Sequence, residues 1–199
     1  MRITRPIGAL VCFCVLAFAG KRASTTSGKA LGRPDAPIRI ELFSDYQCPA
    51  CRVLHEQTIR PLVTDYVDSG KVYLVTREFP LPMHAKAREA ACYACAADKI
   101  GKYQQVADQL FATQAKWSID GNVVGPACSV LTPSEATRVI GLARGPEISK
   151  IVDDDIRAGK SANIDATPTM IVTRLFRRYP FVGHVNYSLL RKLLDSWLN

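Results

Sequence analysis

The chain has 199 residues, 48% of them hydrophobic, and a formal net charge of +8. That is enough apolar material for a single core in one domain, and no internal repeat or low-complexity tract points to a solenoid or fibrous architecture. The 26 lysines and arginines are scattered along the chain, so the basic balance by itself gives no reason to expect nucleic-acid binding.

Residues 1–19 stand apart. Arg2 and Arg5 precede an apolar stretch from Ile7 to Phe18 that ends in Ala17-Phe18-Ala19. This is a signal-peptide pattern with cleavage predicted after Ala19, which places the mature chain in a periplasmic or other extracytoplasmic compartment. An uncleaved N-terminal membrane anchor is the alternative. Cys12 and Cys14 read as apolar filler within this segment. Residues 20–34, rich in Ser, Thr, Gly and Lys, are expected to form a flexible linker.

Folded structure is predicted from Asp35 to the C-terminus. Ile38 to Phe43 reads as a strand and Lys71 to Phe79 as a second, with a helix between them that Pro61 interrupts. A strand, crossover helix and strand in that order imply parallel pairing. A helical insertion follows over about 84–160, with helices expected at His84–Ala97, Lys102–Lys116, Pro133–Leu142 and Pro146–Ala158, and a loop at Gly121–Ala127. Strands at Thr169–Thr173 and Tyr179–Gly183 and an amphipathic helix over Tyr187–Leu198 close the domain.

The chemistry concentrates where the first strand meets the first helix, at Cys48-Pro49-Ala50-Cys51. A cysteine at the first turn of a helix faces unpaired N–H groups and the positive end of the dipole, so its thiolate is favoured. The cysteine three residues on shares its helix face and lies within disulfide reach. Pro49 suits the first helical position, where its missing N–H would have had no partner. Cys48 is therefore the expected nucleophile and Cys51 the resolving thiol. No imidazole lies between them, which predicts a less extreme thiolate than a histidine there would give.

Three segments in order, Phe43-Ser44-Asp45-Tyr46-Gln47-Cys48-Pro49-Ala50-Cys51, Arg77-Glu78-Phe79-Pro80-Leu81 and Ala166-Thr167-Pro168-Thr169, together resemble the thioredoxin superfamily. With the helical insertion, the chain resembles its DsbA-like branch of thiol–disulfide oxidoreductases. The resemblance implies an α/β thioredoxin fold with a helical insertion. It also implies a cis bond before Pro168 and a substrate-binding surface at Thr167, Pro168, Pro49 and Ala50. Thr167 is expected to pair with an extended peptide in strand-like fashion and to tune the Cys48 sulfur. Glu41 matches a buried acid of that branch, which implies a proton relay to Cys51; a solvated Glu on the polar side of the strand is the other reading, and alternation alone does not choose between them. Asp45 is expected to brace the loop before the helix, whereas His55 and His84 read as structural.

Cys92-Tyr93-Ala94-Cys95 is a second Cys-x-x-Cys, but it lies inside a helix and gains no N-terminal field. Small residues at a packing face and a disulfide from Cys92 or Cys95 to Cys128 are both compatible with it. The two pairs lie on different elements, and no Met- or His-rich cluster accompanies them, so no metal and no cofactor are expected. The function expected is disulfide exchange with cysteine-containing proteins, in the direction of disulfide donation. The resemblance implies reoxidation by a membrane quinone-linked thiol oxidase, or, in the opposite direction, a transmembrane reductant. The alternative is a non-catalytic thioredoxin-like module that binds a peptide or metal.

Overall fold

The computed structural model describes residues 28–198. The expected signal peptide and the start of the expected linker lie outside them. A five-stranded sheet has the order β1-β3-β2-β4-β5. Its centre is β2 (Ile38–Ser44), parallel to β3 (Val72–Glu78) on one side and antiparallel to β4 (Thr169–Arg174) on the other. The β5 strand (Arg177–Val182) pairs antiparallel with β4 at one edge. At the other edge lies the two-residue β1, Ala30–Leu31, antiparallel to β3.

That short strand corrects the linker expectation. From Gly28 onward the segment is docked: Thr76 N–H donates to Lys29 O at 2.7 Å, Leu31 packs on the core, and Gly28 N–H donates to the Asp98 carboxylate. Its polar composition hid the pairing that the edge of β3 offers, Ala30 opposite Val75 and Leu31 opposite Leu74. Gly32 then turns the chain at φ +88°, where a Cβ would fall 2.5 Å from Val72 O.

Strand alternation sends Ile38, Ile40 and Leu42 to one face of the sheet. There they meet Leu54 and Leu62 from the helical stretch after Cys48, and Leu190 and Leu194 from α9 (Tyr187–Leu198). That stretch comprises α1 (Pro49–Leu54), α2 (Arg60–Leu62) and π-helical turns at His55–Ile59 and Val63–Val67. Pro61 lacks the N–H an α-turn would use, and the wider turns on either side absorb the defect without stopping the helix. On the opposite face, Phe43, Phe79 and Ile171 pack with Ile156 of α8 (Pro146–Ser161).

Between β3 and β4 the chain is helical. The alanine-rich α3 (Ala87–Asp98) is the hub, with Ala90, Ala94, Ala96 and Ala97 fully buried. It packs against α4 (Tyr103–Ala112), α7 (Pro133–Ala143) and α8. The helix expected over 102–116 is divided at Thr113, whose hydroxyl donates to Gln109 O at 2.7 Å, and α5 (Gln114–Asp120) starts afresh. The loop expected at 121–127 is half right. Gly121, at φ +74°, ends α5, but the chain then forms α6 (Val124–Ser129), held by the buried Val123 and Ala127.

Candidate active site

The site forms at the end of the sheet where β2 delivers the chain into α1. Cys48 occupies the N-cap of α1, and its carbonyl accepts from the N–H groups of Cys51 and Arg52 at 3.1 and 3.3 Å. Both cysteines are buried, and Cys48, at 7% exposed, is less so than Cys51 at 1%. Pro49 is exposed and Ala50 half-buried beside it. Across the cleft the Thr167-Pro168 peptide bond is cis, and the Cys48 thiol donates to the Thr167 carbonyl at 3.4 Å. Pro168 O accepts from Gly183 N–H at 2.8 Å, which ties this turn to the end of β5. Thus Cys48, Cys51, Thr167 and Pro168 converge although most of the chain separates them in sequence.

The two sulfurs are electrostatically opposite. The Cys51 thiol beside Cys48 is the main group that lowers the Cys48 pKa from an ordinary 9.0 to about 5. The Cys51 N–H, the Thr167 side chain and the Ala50 N–H add to this, against a desolvation that works upward. Cys51 moves far upward, first because it is buried and then because the Cys48 sulfur faces it. Asp45 N–H, at 3.4 Å from Cys51 Sγ, opposes that rise only in part. At neutral pH these shifts favour the thiolate on Cys48, the less buried of the two, and the thiol on Cys51, and the donated contact to Thr167 belongs to the protonated form of Cys48.

Asp45 braces the approach, as expected. Fully buried, it accepts from Gln47 N–H at 2.7 Å and Leu81 N–H at 2.8 Å, and its other contact is His84 Nδ1 at 2.8 Å. The loop after β3 is thereby pinned to the active-site loop. Two further buried groups, one of them inside the Arg77–Leu81 segment, have no site role assigned from the sequence. Gln114 of α5 donates its amide to both Tyr46 O (2.7 Å) and Cys48 O (2.9 Å). Glu78, at the end of β3, accepts from Tyr103 O–H at 2.7 Å, and Tyr46 O–H donates to Tyr103 at 3.2 Å. Burial raises Glu78 to about 7, while Lys29 and the Tyr103 hydroxyl pull it down. Both residues reach the site from sequence-distant elements, so spacing near Cys48 could not have revealed them.

Glu41, the acid expected to relay a proton to Cys51, is held in an ion-pair network. Alternation puts it on the sheet face opposite Leu42, whose face carries α1. Its carboxylate accepts from Arg77 at 3.1 Å and Arg39 at 3.2 Å, and Arg77 continues to Asp155 of α8. Burial pushes the Glu41 pKa up, but the two guanidiniums outweigh it and hold the group below its ordinary value. A carboxylate kept charged on the far face is an ion-pair anchor, and the residue facing α1 at this level is the apolar Leu42. Cys92, Cys95 and Cys128 are free thiols, so the disulfide considered for Cys128 is not formed here, and burial raises the pKa of all three.

With this geometry established, comparison with known proteins is specific. The chain is 27% identical over 151 residues to disulfide bond formation protein D of Bacillus subtilis, covering 71% of this chain and 66% of that protein. It spans about a quarter of several other curated relatives, among them the Na(+)/H(+) antiporter NhaA 1 of Mycolicibacterium gilvum (24%). Among solved structures, oxidised BdbD of Bacillus subtilis superposes with a TM-score of 0.69 at 24% identity, covering 85% of this chain and 92% of that one. DsbA2 of Pseudomonas aeruginosa gives a TM-score of 0.65 at 28% identity, covering 86% and 93%. These superpositions bear out the α/β thioredoxin fold with its helical insertion. The family model described as Thioredoxin matches residues 24–195, and the chain belongs to the thioredoxin family.

Proposed function

We propose that the chain is an exported thiol–disulfide oxidoreductase that donates the Cys48–Cys51 disulfide to cysteine-containing protein substrates. The observation that carries this reading is the opposed state of the two sulfurs: Cys48, the less buried of the pair, with its pKa lowered to about 5, and Cys51 with its pKa raised. A stabilised thiolate favours the reduced form of the pair, which makes the disulfide oxidising.

In the donating direction, a substrate thiolate bonds to Cys48 Sγ as the Cys48–Cys51 bond breaks. The electron pair of that bond goes to Cys51 Sγ, which then takes up a proton. In the mixed disulfide Cys48 carries no charge, so two of the influences that raise Cys51 are gone and its departure is eased. The substrate's second thiolate next bonds to the first substrate sulfur and expels Cys48 as a thiolate, a good leaving group because its pKa is low. The substrate loses two electrons and the chain is left as a dithiol. Thr167 offers its backbone to an extended substrate strand, with Pro168 beside it and Pro49 and Ala50 forming the opposite wall. Regeneration falls to a membrane quinone-linked thiol oxidase. The relatives named for disulfide bond formation support this reading.

The test is single-turnover oxidation of a two-cysteine peptide by the oxidised full chain. Cys48→Ser is expected to abolish it, and Cys51→Ala, mixed with a peptide disulfide, to accumulate a mixed disulfide on Cys48. Unchanged peptide oxidation by the Cys48 variant contradicts the assignment.

A further inference from the structure

The hairpin joining β4 to β5 has a composition that neither its turn geometry nor the core explains. Arg174 is paired with Arg177 in register, so Leu175 and Phe176 form a two-residue turn. Both have left-handed backbones, at φ 48° and 65°. Such turns select Asn and Gly, and a Leu-Phe pair is disfavoured there. Packing offers no compensation, because Leu175 is 73% exposed and Phe176 fully exposed. Arginines surround the tip: Arg177 and Arg178 are exposed, and Arg174 lies half-buried with its guanidinium 6.0 Å over the Trp197 ring. Among the described residues none of the three forms an ion pair, and Arg174 faces Arg177 across the strands, a repulsive placement.

We infer that this tip docks on an anionic lipid bilayer, with Leu175 and Phe176 seated at the boundary between headgroups and acyl chains and Arg177 and Arg178 against lipid phosphates. Apolar side chains at the apex with cations behind them are what an interfacial contact requires. A nucleic-acid backbone would satisfy the arginines and leave the leucine and phenylalanine in water. The placement is also compatible with catalysis. β4 begins beside Pro168 and ends at Arg174, so the tip lies roughly 20 Å from the Cys48 end of the sheet at about 3.4 Å per residue. A docked hairpin holds the cysteine end of the sheet clear of the headgroups. This inference does not depend on the cysteine chemistry.

The test uses the full chain with Phe176→Trp, because the apolar stretch before residue 20 would itself bind vesicles and only a local reporter isolates the hairpin. With phosphatidylglycerol vesicles the introduced indole is expected to shift its emission to the blue and to be quenched by brominated acyl chains, beyond the response of Trp117 and Trp197 in the parent. Added Arg177→Gln and Arg178→Gln are each expected to weaken the response about fivefold, from about 1 kcal/mol per cation at the surface. Leu175→Asn with Phe176→Gly is expected to fold with an unreduced melting temperature, which separates the apex from the scaffold. No shift on anionic vesicles overturns the inference, as does an equal response on phosphatidylcholine. A blue shift that grows with protein concentration in the absence of lipid overturns it in favour of a second copy.

Discussion

Replacing Cys51 by Ala removes the largest influence on the Cys48 thiolate while leaving the backbone donors in place. A hydrogen bond to a charged group contributes about 1.5–3 kcal/mol, which at 1.36 kcal/mol per pKa unit is about one to two units. Cys48 lies near enough to solvent for screening to trim this, so the expected midpoint moves from about 5 to about 6. The assay is thiolate absorbance at 240 nm followed from pH 3 to pH 7.5 in the reduced chain. Cys92, Cys95 and Cys128 do not interfere, because burial holds each above the ordinary thiol value. A native midpoint left near the ordinary 9.0 would refute the electrostatic reading of the site. An unshifted midpoint in the variant would transfer the stabilisation from Cys51 to the backbone N–H groups.

Glu41→Gln is expected to leave the pH profile of thiol exchange unchanged and to lower stability by about 1–2 kcal/mol in urea unfolding, because Arg39 and Arg77 lose their shared anion; a displaced profile would restore the relay. Glu78→Gln keeps an acceptor for Tyr103 but removes a proton site. A carboxyl raised from 4.5 to about 7 contributes stability that is present below its unfolded pKa and is lost as pH rises through its folded one. The native chain is therefore expected to lose about 3 kcal/mol relative to the variant between pH 4 and pH 8, and parallel unfolding curves across that range would contradict the burial argument. Gly159→Ala sets a Cβ 2.4 Å from Phe79 Cε2 and 3.2 Å from Phe43 Cδ1. Rigid rings cannot yield, so α8 must move from the sheet at a cost of about 1–3 kcal/mol; an unchanged melting temperature would show that α8 shifts freely.

What could be read from the sequence was local. The Cys48–Cys51 spacing, Pro49 at the helix start and the periodicity of Tyr187–Leu198 each depend on neighbours within a turn or two, and the structure forms those elements where they were expected. Features set by long-range partners were not legible. Ala30–Leu31 becomes a strand only because β3 offers an edge, and Val124–Ser129 becomes a helix only because α3 and α4 bury Ala127. Glu41 shows the sharpest limit. A shift of one position along a strand exchanges its two faces, and no local pattern said which face α1 would cover. Gln114 and Glu78 are ordinary polar residues in sequence, and acquire their roles from a helix and a strand that meet the active-site loop only in the folded chain.

Disulfide donation by the Cys48–Cys51 couple is tested most directly by the equilibrium reduction potential of that couple in the full chain. Equilibration in glutathione redox buffers, with mass spectrometric readout of the peptide that carries both cysteines, reports this pair without altering the others. The predicted potential is more oxidising than about −180 mV, toward the roughly −120 mV of a strong disulfide donor. A value near about −270 mV, the range of a cytosolic reductant, would contradict it.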